Sequence, residues 1–91
     1  MQPSAVSDLD RLRKFDAALV ADAMDKHLAQ APERPSKSRI KRLRGLSNPD
    51  YRLRVGDFRV FYNIDESADT VVVFRVLHKD QTRQYYEELM P

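Results

Sequence analysis

Apolar residues recur at helical spacing through the first third of the chain. From Ser7 to about Gln30, Leu9, Leu12, Phe15, Leu19, Ala23 and Leu28 fall three to five apart, with Val20 and Met24 widening the stripe. The pattern predicts an amphipathic helical segment. Ser7 offers a cap for its start, Asp8 and Asp10 suit the positive end of the helix dipole, and Ala31-Pro32 stops it. A break at Phe15-Asp16, with Asp16 as a second cap, would turn the single helix into a helical hairpin, and the periodicity fits either. Residues 31–36 (APERPS) read as a linker, and Lys37–Leu43 as a short basic helix before Gly45.

From Tyr51 the period changes to two. The stretch YRLRVGDFRVFY reads as two strands joined at Gly56-Asp57. A two-residue loop pairs Val55 with Phe58, Arg54 with Arg59, Leu53 with Val60, Arg52 with Phe61 and Tyr51 with Tyr62. One face then carries Tyr51, Leu53, Val55, Phe58, Val60 and Tyr62, a core surface for the helical segment. The other carries Arg52, Arg54, Arg59 and Phe61. Asp65–Asp69 form a polar turn, and TVVVFRVL (residues 70–77) has the unbroken apolar, β-branched character of a strand covered on both faces, which predicts a central position in the sheet. His78-Lys79-Asp80 ends that strand, and residues 81–89 make a short final helix bearing Tyr85 and Tyr86. The expected class is α+β: a small antiparallel sheet of three to four strands against an N-terminal helix or helical hairpin, with a short C-terminal helix.

With 91 residues, the chain holds one domain, residues 1–91. Its 42% hydrophobic and 33% charged residues fit a water-soluble globular domain, as does a mean hydropathy of −0.63. There is no cysteine, which excludes disulfides and thiolate metal sites. No run of about 18 apolar residues and no basic-then-apolar leader is present, so a cytoplasmic protein without membrane contact is expected. Two glycines, Gly45 and Gly56, rule out the Gly-rich phosphate loops and dinucleotide fingerprints, and no cofactor is implied. His27 and His78 fall in distant elements and supply no zinc spacing, and no nucleophile elbow or triad is placed.

Charge changes the picture. Residues 1–33 carry four Lys/Arg against six Asp/Glu, a net −2, and residues 60–91 carry three against six, a net −3. Between them, residues 34–59 carry nine, Arg34, Lys37, Arg39, Lys41, Arg42, Arg44, Arg52, Arg54 and Arg59, against Asp50 and Asp57, a net +7. A band of that density attracts polyanions, nucleic acid above all. Within it, Arg54 and Arg59 face each other across the hairpin, a like-charge pair that costs about 0.2–1 kcal/mol unless an anion intervenes. His78, Lys79, Tyr85 and Tyr86 follow the neighbouring strand and stand to close over the same face. Arginines that neutralise phosphate, a lysine or histidine that moves a proton and a tyrosine ring for stacking together suit RNA.

The succession KRLRGL, YRLRVGDFRVFYNID, VVVFRVLHKD and a Tyr near the C-terminus resembles the RelE/ParE superfamily of toxin-antitoxin toxins, over about Leu9 to Leu89. The resemblance implies an antiparallel sheet flanked by an N-terminal helical segment and a C-terminal helix often contacted by the antitoxin. RelE-like members cut mRNA in the ribosomal decoding site without metal, a ribose 2′-hydroxyl attacking the adjacent phosphate, whereas ParE-like members poison DNA gyrase. By this resemblance Arg59 matches the phosphate-stabilising arginine, Arg52 stands where a lysine general base is proposed, Lys79 stands where an arginine general acid is proposed, and Tyr85 matches the base-stacking tyrosine. Arginine is a poor proton acceptor at neutral pH, so the exchange moves proton transfer toward Lys79 or His78 and leaves Arg52 to bind phosphate. The family's opening strand finds little room in Met1–Val6, which implies a short start or a sheet with one strand fewer, its edge open to a partner's strand.

The function expected is therefore a ribosome-dependent mRNA endoribonuclease. Arg59 and Arg54 would hold the scissile phosphate, and Lys37, Arg39, Lys41, Arg42 and Arg44 would lie along ribosomal RNA. The expected partners are the ribosome with its mRNA and an acidic cognate antitoxin. The alternatives are a gyrase inhibitor, or a noncatalytic RNA-binding toxin in which the exchange at Arg52 has removed the base.

Overall fold

A computed structural model describes residues 1–28, 39–43 and 49–90. Two helices open the chain, α1 (Pro3–Arg11) and α2 (Lys14–Leu28). Four strands follow, β1 (Ile40–Arg42), β2 (Tyr51–Val55), β3 (Phe58–Asp65) and β4 (Thr70–His78). A 3-10 turn (Lys79–Gln81) then leads into the last helix, α3 (Thr82–Leu89). The strands form one antiparallel sheet in the order β1-β2-β3-β4. This is the α+β architecture expected from the residue pattern.

The helical hairpin is the alternative adopted, with its break earlier than Phe15-Asp16. Pro3, whose fixed φ suits a first helical turn, starts α1 after an extended Gln2, so Ser7 lies inside the helix and caps nothing. Leu12 is extended and ends it. The break resets the helical phase. Val20, Ala23 and Leu28 of α2 turn inward, while Phe15 and Leu19, placed in the stripe by the one-helix reading, are 77% and 44% exposed.

The β2–β3 register is the one the alternation predicts, residue for residue. Gly56 takes φ +56°, a left-handed turn conformation that a β-carbon would strain. Leu53, Val55, Val60 and Tyr62 close a core with Ala5, Val20, Ala23, Leu28, Ile40, Val73 and Val76. Two expectations are corrected. Ile40–Arg42 is a strand rather than part of a basic helix: its backbone pairs with Tyr51–Leu53, and Ile40 enters the core beside Leu53. Residues 37 and 38 of that expected helix, like the linker 31–36 and Gly45, lie outside the described residues. β4, expected to be central, is the last strand in the order, and β3 is flanked on both sides.

The apolar run of β4 is explained by α1, which lies against it. Two of its edge groups are taken up there. The Gln2 N–H donates to the Val73 carbonyl at 2.9 Å, and the Val76 N–H donates to the Asp8 carboxylate at 2.9 Å. Asp8 also accepts from Arg75 Nε at 2.7 Å and Nη2 at 3.0 Å, a two-pronged pair that clamps helix to strand. The register shift between Phe61 and Tyr62 slips one extra residue, Phe74, into β4, so that Val73 and Val76, three apart, both face the core. No helix among the described residues is long and apolar enough to cross a membrane.

Candidate functional site

The face of the sheet turned away from α1 and α2 is built in two cross-strand rows. Lys41, Arg52, Phe61 and Arg75 are successive partners from β1 to β4. In the next row Arg54 pairs with Arg59 and Arg59 with Leu77, and the Arg39 carbonyl accepts from the Arg54 N–H at 2.7 Å, extending the row to the start of β1. Five cations, Arg39, Lys41, Arg52, Arg54 and Arg59, thus share three adjacent strands. Arg39, Arg54, Gly56 and Asp57 line a cleft of about 360 Å³ beside the hairpin turn.

Among the described residues no carboxylate forms a salt bridge with Arg52, Arg54 or Arg59. Arg59 folds back over the turn, Nη1 donating to the carbonyls of Gly56 and Phe58, both at 2.9 Å. Burial lowers its pKa from the ordinary guanidinium value, and the charges of Arg52 and Arg54 lower it further, with Asp57 and Tyr86 opposing. The group stays charged, and the repulsion from Arg52 and Arg54, second to burial as a cause, is one that a bound anion would relieve. Arg52 points the same way: its Nε is buried and lacks a hydrogen-bond partner among the described residues.

Lys79 reaches the same turn from the other side. Its N–H donates to the Asp57 carbonyl at 2.7 Å and its Nζ lies 3.5 Å from Asp57 Oδ1, so one dipeptide, Gly56-Asp57, positions both Arg59 and Lys79. The ammonium is half exposed.

His78 does not join the arginines. It pairs with Phe58, on the helix side of the sheet, and meets that ring edge-on at 5.7 Å, because Leu77 and not His78 stands opposite Arg59. Its Nδ1 accepts from the Asp80 N–H at 3.2 Å, and Gln81 Oε1 accepts from the His78 N–H at 3.0 Å, a reciprocal cap on the turn that launches α3. The imidazole is a cap here, with its acceptor nitrogen engaged. Arg42 likewise leaves the band: it pairs with Tyr51, on the helix side, and its guanidinium sits 5.9 Å from the Tyr51 ring centre. Lys37 and Arg44 lie outside the described residues.

The helix α3 lies over the row that contains Phe61. Tyr85 is buried, packed on Phe61 at 4.9 Å between ring centres and covered by the Arg75 guanidinium at 5.6 Å. Burial raises its pKa, against the pull of Arg75. In this position the ring is chiefly a packing element, 8% exposed at the wall of a small cleft it shares with Arg75, Leu77, Gln81, Gln84 and Glu88. Tyr86, which the sequence reading grouped with the site without a role, meets Phe61 edge-on at 5.6 Å and is half-buried. Burial raises its pKa too, and Arg52 and Arg59 are the charges that oppose the rise.

Comparison with known proteins agrees with this architecture. A family model described as the ParE toxin of the type II toxin-antitoxin system parDE matches residues 1–83. Among solved structures, a chain of the toxin-antitoxin complex RelBE2 from Mycobacterium tuberculosis is similar at 31% identity and a TM-score of 0.69, over 85% of this chain and 90% of that one. A chain of the RelB-RelE antitoxin-toxin complex from Methanococcus jannaschii shares the fold at 24% identity and a TM-score of 0.67, over 92% and 94% of the two chains. No curated protein matches.

Proposed function

The chain belongs to the ParE toxin family of type II toxin-antitoxin systems, within the RelE/ParE toxins, and from that premise we propose that it is a ribosome-dependent endoribonuclease that cuts mRNA without a metal ion. The observation that carries this reading is the outward group of Arg52, Arg54 and Arg59, unpaired with any described carboxylate and adjoining the turn that holds Lys79. A ribose 2′-hydroxyl gives its proton to solvent water as its oxygen attacks the adjacent phosphorus, the bond to the 5′-oxygen breaks, and the products are a cyclic 2′,3′-phosphate and a 5′-hydroxyl. The guanidiniums stabilise the charge that builds on the phosphoryl oxygens, and Lys79 supplies the proton that the leaving 5′-oxygen needs. Arg39 and Lys41 hold flanking phosphates of the message or of ribosomal RNA. An antitoxin of acidic surface is the regulatory partner, in keeping with the antitoxin-bound state of the two structural relatives.

A translating extract tests this directly. With the protein added, new mRNA 5′ ends inside ribosome-bound codons are expected, absent when ribosomes are removed. Arg59→Ala should lower cutting by at least about 10²-fold while the domain stays folded, the usual cost of losing one such charge stabiliser. Undiminished cutting by the folded variant rejects the site. A second reading, inhibition of DNA gyrase, is favoured by the engagement of Lys79 with Asp57 and of His78 as a cap, which commits both proton-transfer candidates to contacts within the protein. Trapped gyrase cleavage complexes without new mRNA ends would decide for it.

A further inference from the structure

Tyr85 and Tyr86 are neighbours on a helix, and adjacent helical side chains diverge by about 100°. They therefore have different work. Tyr85 is buried: it packs on Phe61, shares a cluster with Leu77 and has Arg75 over its ring, with Arg75 itself fixed by Asp8 of α1. Tyr86 meets Phe61 edge-on and, unlike Tyr85, keeps part of its surface open to solvent. Phe61 is the cross-strand partner of Arg52 and lies two residues along β3 from Arg59 on the same face. A ring that meets Phe61 therefore stands on the face that carries both arginines, and the charges of both act on it.

We infer that Tyr86 is the side chain of α3 that meets the substrate, its hydroxyl completing with Arg52 and Arg59 a cradle for one phosphate of a single-stranded RNA, while Tyr85 is the post that fixes the helix in place. The inference rests on the nucleic-acid reading above and names the contact that reading lacks. All three groups present donors: two guanidiniums, one with a buried Nε lacking any described acceptor, and a phenol hydroxyl. A set of convergent donors needs a ligand rich in acceptors, and a phosphodiester offers two anionic oxygens. The fields of Arg52 and Arg59 already act on the Tyr86 hydroxyl, in keeping with this placement. Tyr85, carried over from the family's stacking tyrosine by sequence position, is the neighbour that the helix turns inward.

The test uses a six-nucleotide RNA whose riboses are 2′-O-methylated, so that it binds without being cut. Tyr86→Phe keeps the ring on Phe61 and removes only the hydroxyl. It should weaken the hexamer by about tenfold, the usual cost of losing a hydrogen bond to a charged group, while Tyr85→Phe stays within about twofold of the parent. Ring resonances of the four tyrosines, assigned by single Phe replacements, give a readout independent of cleavage. On addition of the hexamer, the Tyr86 signals should move and the Tyr85 signals should not. The inference is overturned if Arg59→Ala loses the hexamer but Tyr86→Phe binds as the parent does, or if Tyr85 is the ring that shifts. Should Arg59→Ala bind the hexamer as tightly as the parent, the arginine site itself is rejected, and this assignment falls with it.

Discussion

On the helix side of the β2–β3 hairpin, Leu53 and Val60 face each other with no exposed surface, and the residues around them close into the larger core. One residue along, on the other side, an exposed Arg54 faces a half-buried Arg59, and the cover given by the described residues is a smaller cluster of Phe61, Leu77 and Tyr85 with Leu43, Tyr86 and Leu89 at its rim. Strand alternation produces both faces with equal precision. What differs is whether the fold supplies a partner. Two helices answer the apolar face, whereas among the described residues no carboxylate pairs with Arg52, Arg54 or Arg59, and Arg59 is met only by the carbonyls of Gly56 and Phe58.

The contrast is open to attack from several directions. Leu53→Ala should cost about 3 kcal/mol in urea denaturation, since a fully buried leucine leaves a cavity. Its neighbour Arg54→Ala should leave stability unchanged or slightly higher, because it relieves a like-charge pair. Equal losses in the two variants would erase the distinction between the faces. Asp8→Asn keeps the shape of the clamp but removes its charge, and should lower stability by about 2 kcal/mol; a neutral result would mean that α1 is held by packing alone. In hexamer binding, Lys41→Ala should reduce the slope of log affinity against log salt by about 0.7, the share of one single-strand phosphate contact. Arg42→Ala, next in sequence but on the helix side, should leave the slope unchanged.

The smallest effect belongs to pH. Both Tyr85 and Tyr86 have pKa values raised above the ordinary 10.0, chiefly by burial. Their contribution is fully present below pH 10; above it the unfolded chain ionises first, and stability declines as pH rises toward the folded values. Replacing both by Phe should flatten that alkaline decline in thermal melts.

Period-two patterning made the hairpin register legible because a one-residue slip would have exposed Leu53, Val60 and Tyr62 together. It could not reveal β1, whose three residues contain a single core side chain, Ile40, amid cations that a helix tolerates equally well. Nor could it reveal the role of Asp8. Its partner is 67 residues away in β4, and near the start of a predicted helix an aspartate already has an ordinary local explanation. The same blindness to distant partners misplaced β4: its apolar run reflects cover by α1 rather than flanking strands. For the candidate site, alternation named Arg52, Arg54 and Arg59 as one face, but the choice between Tyr85 and Tyr86 depends on the phase of α3, which the cap at His78 sets and the residue spacing does not disclose.

The two ends of the sheet are blunted by different means. At β4 the Asp8 carboxylate of α1 and the backbone amide of Gln2, just before that helix, occupy main-chain groups that a foreign strand would seek. At β1 the ladder is only three residues long, two of them cationic, too brief and too charged to template a long addition. Both devices work against edge-to-edge pairing between copies of the chain, and they do so at the two edge strands of the sheet, leaving the cationic face itself free of the task.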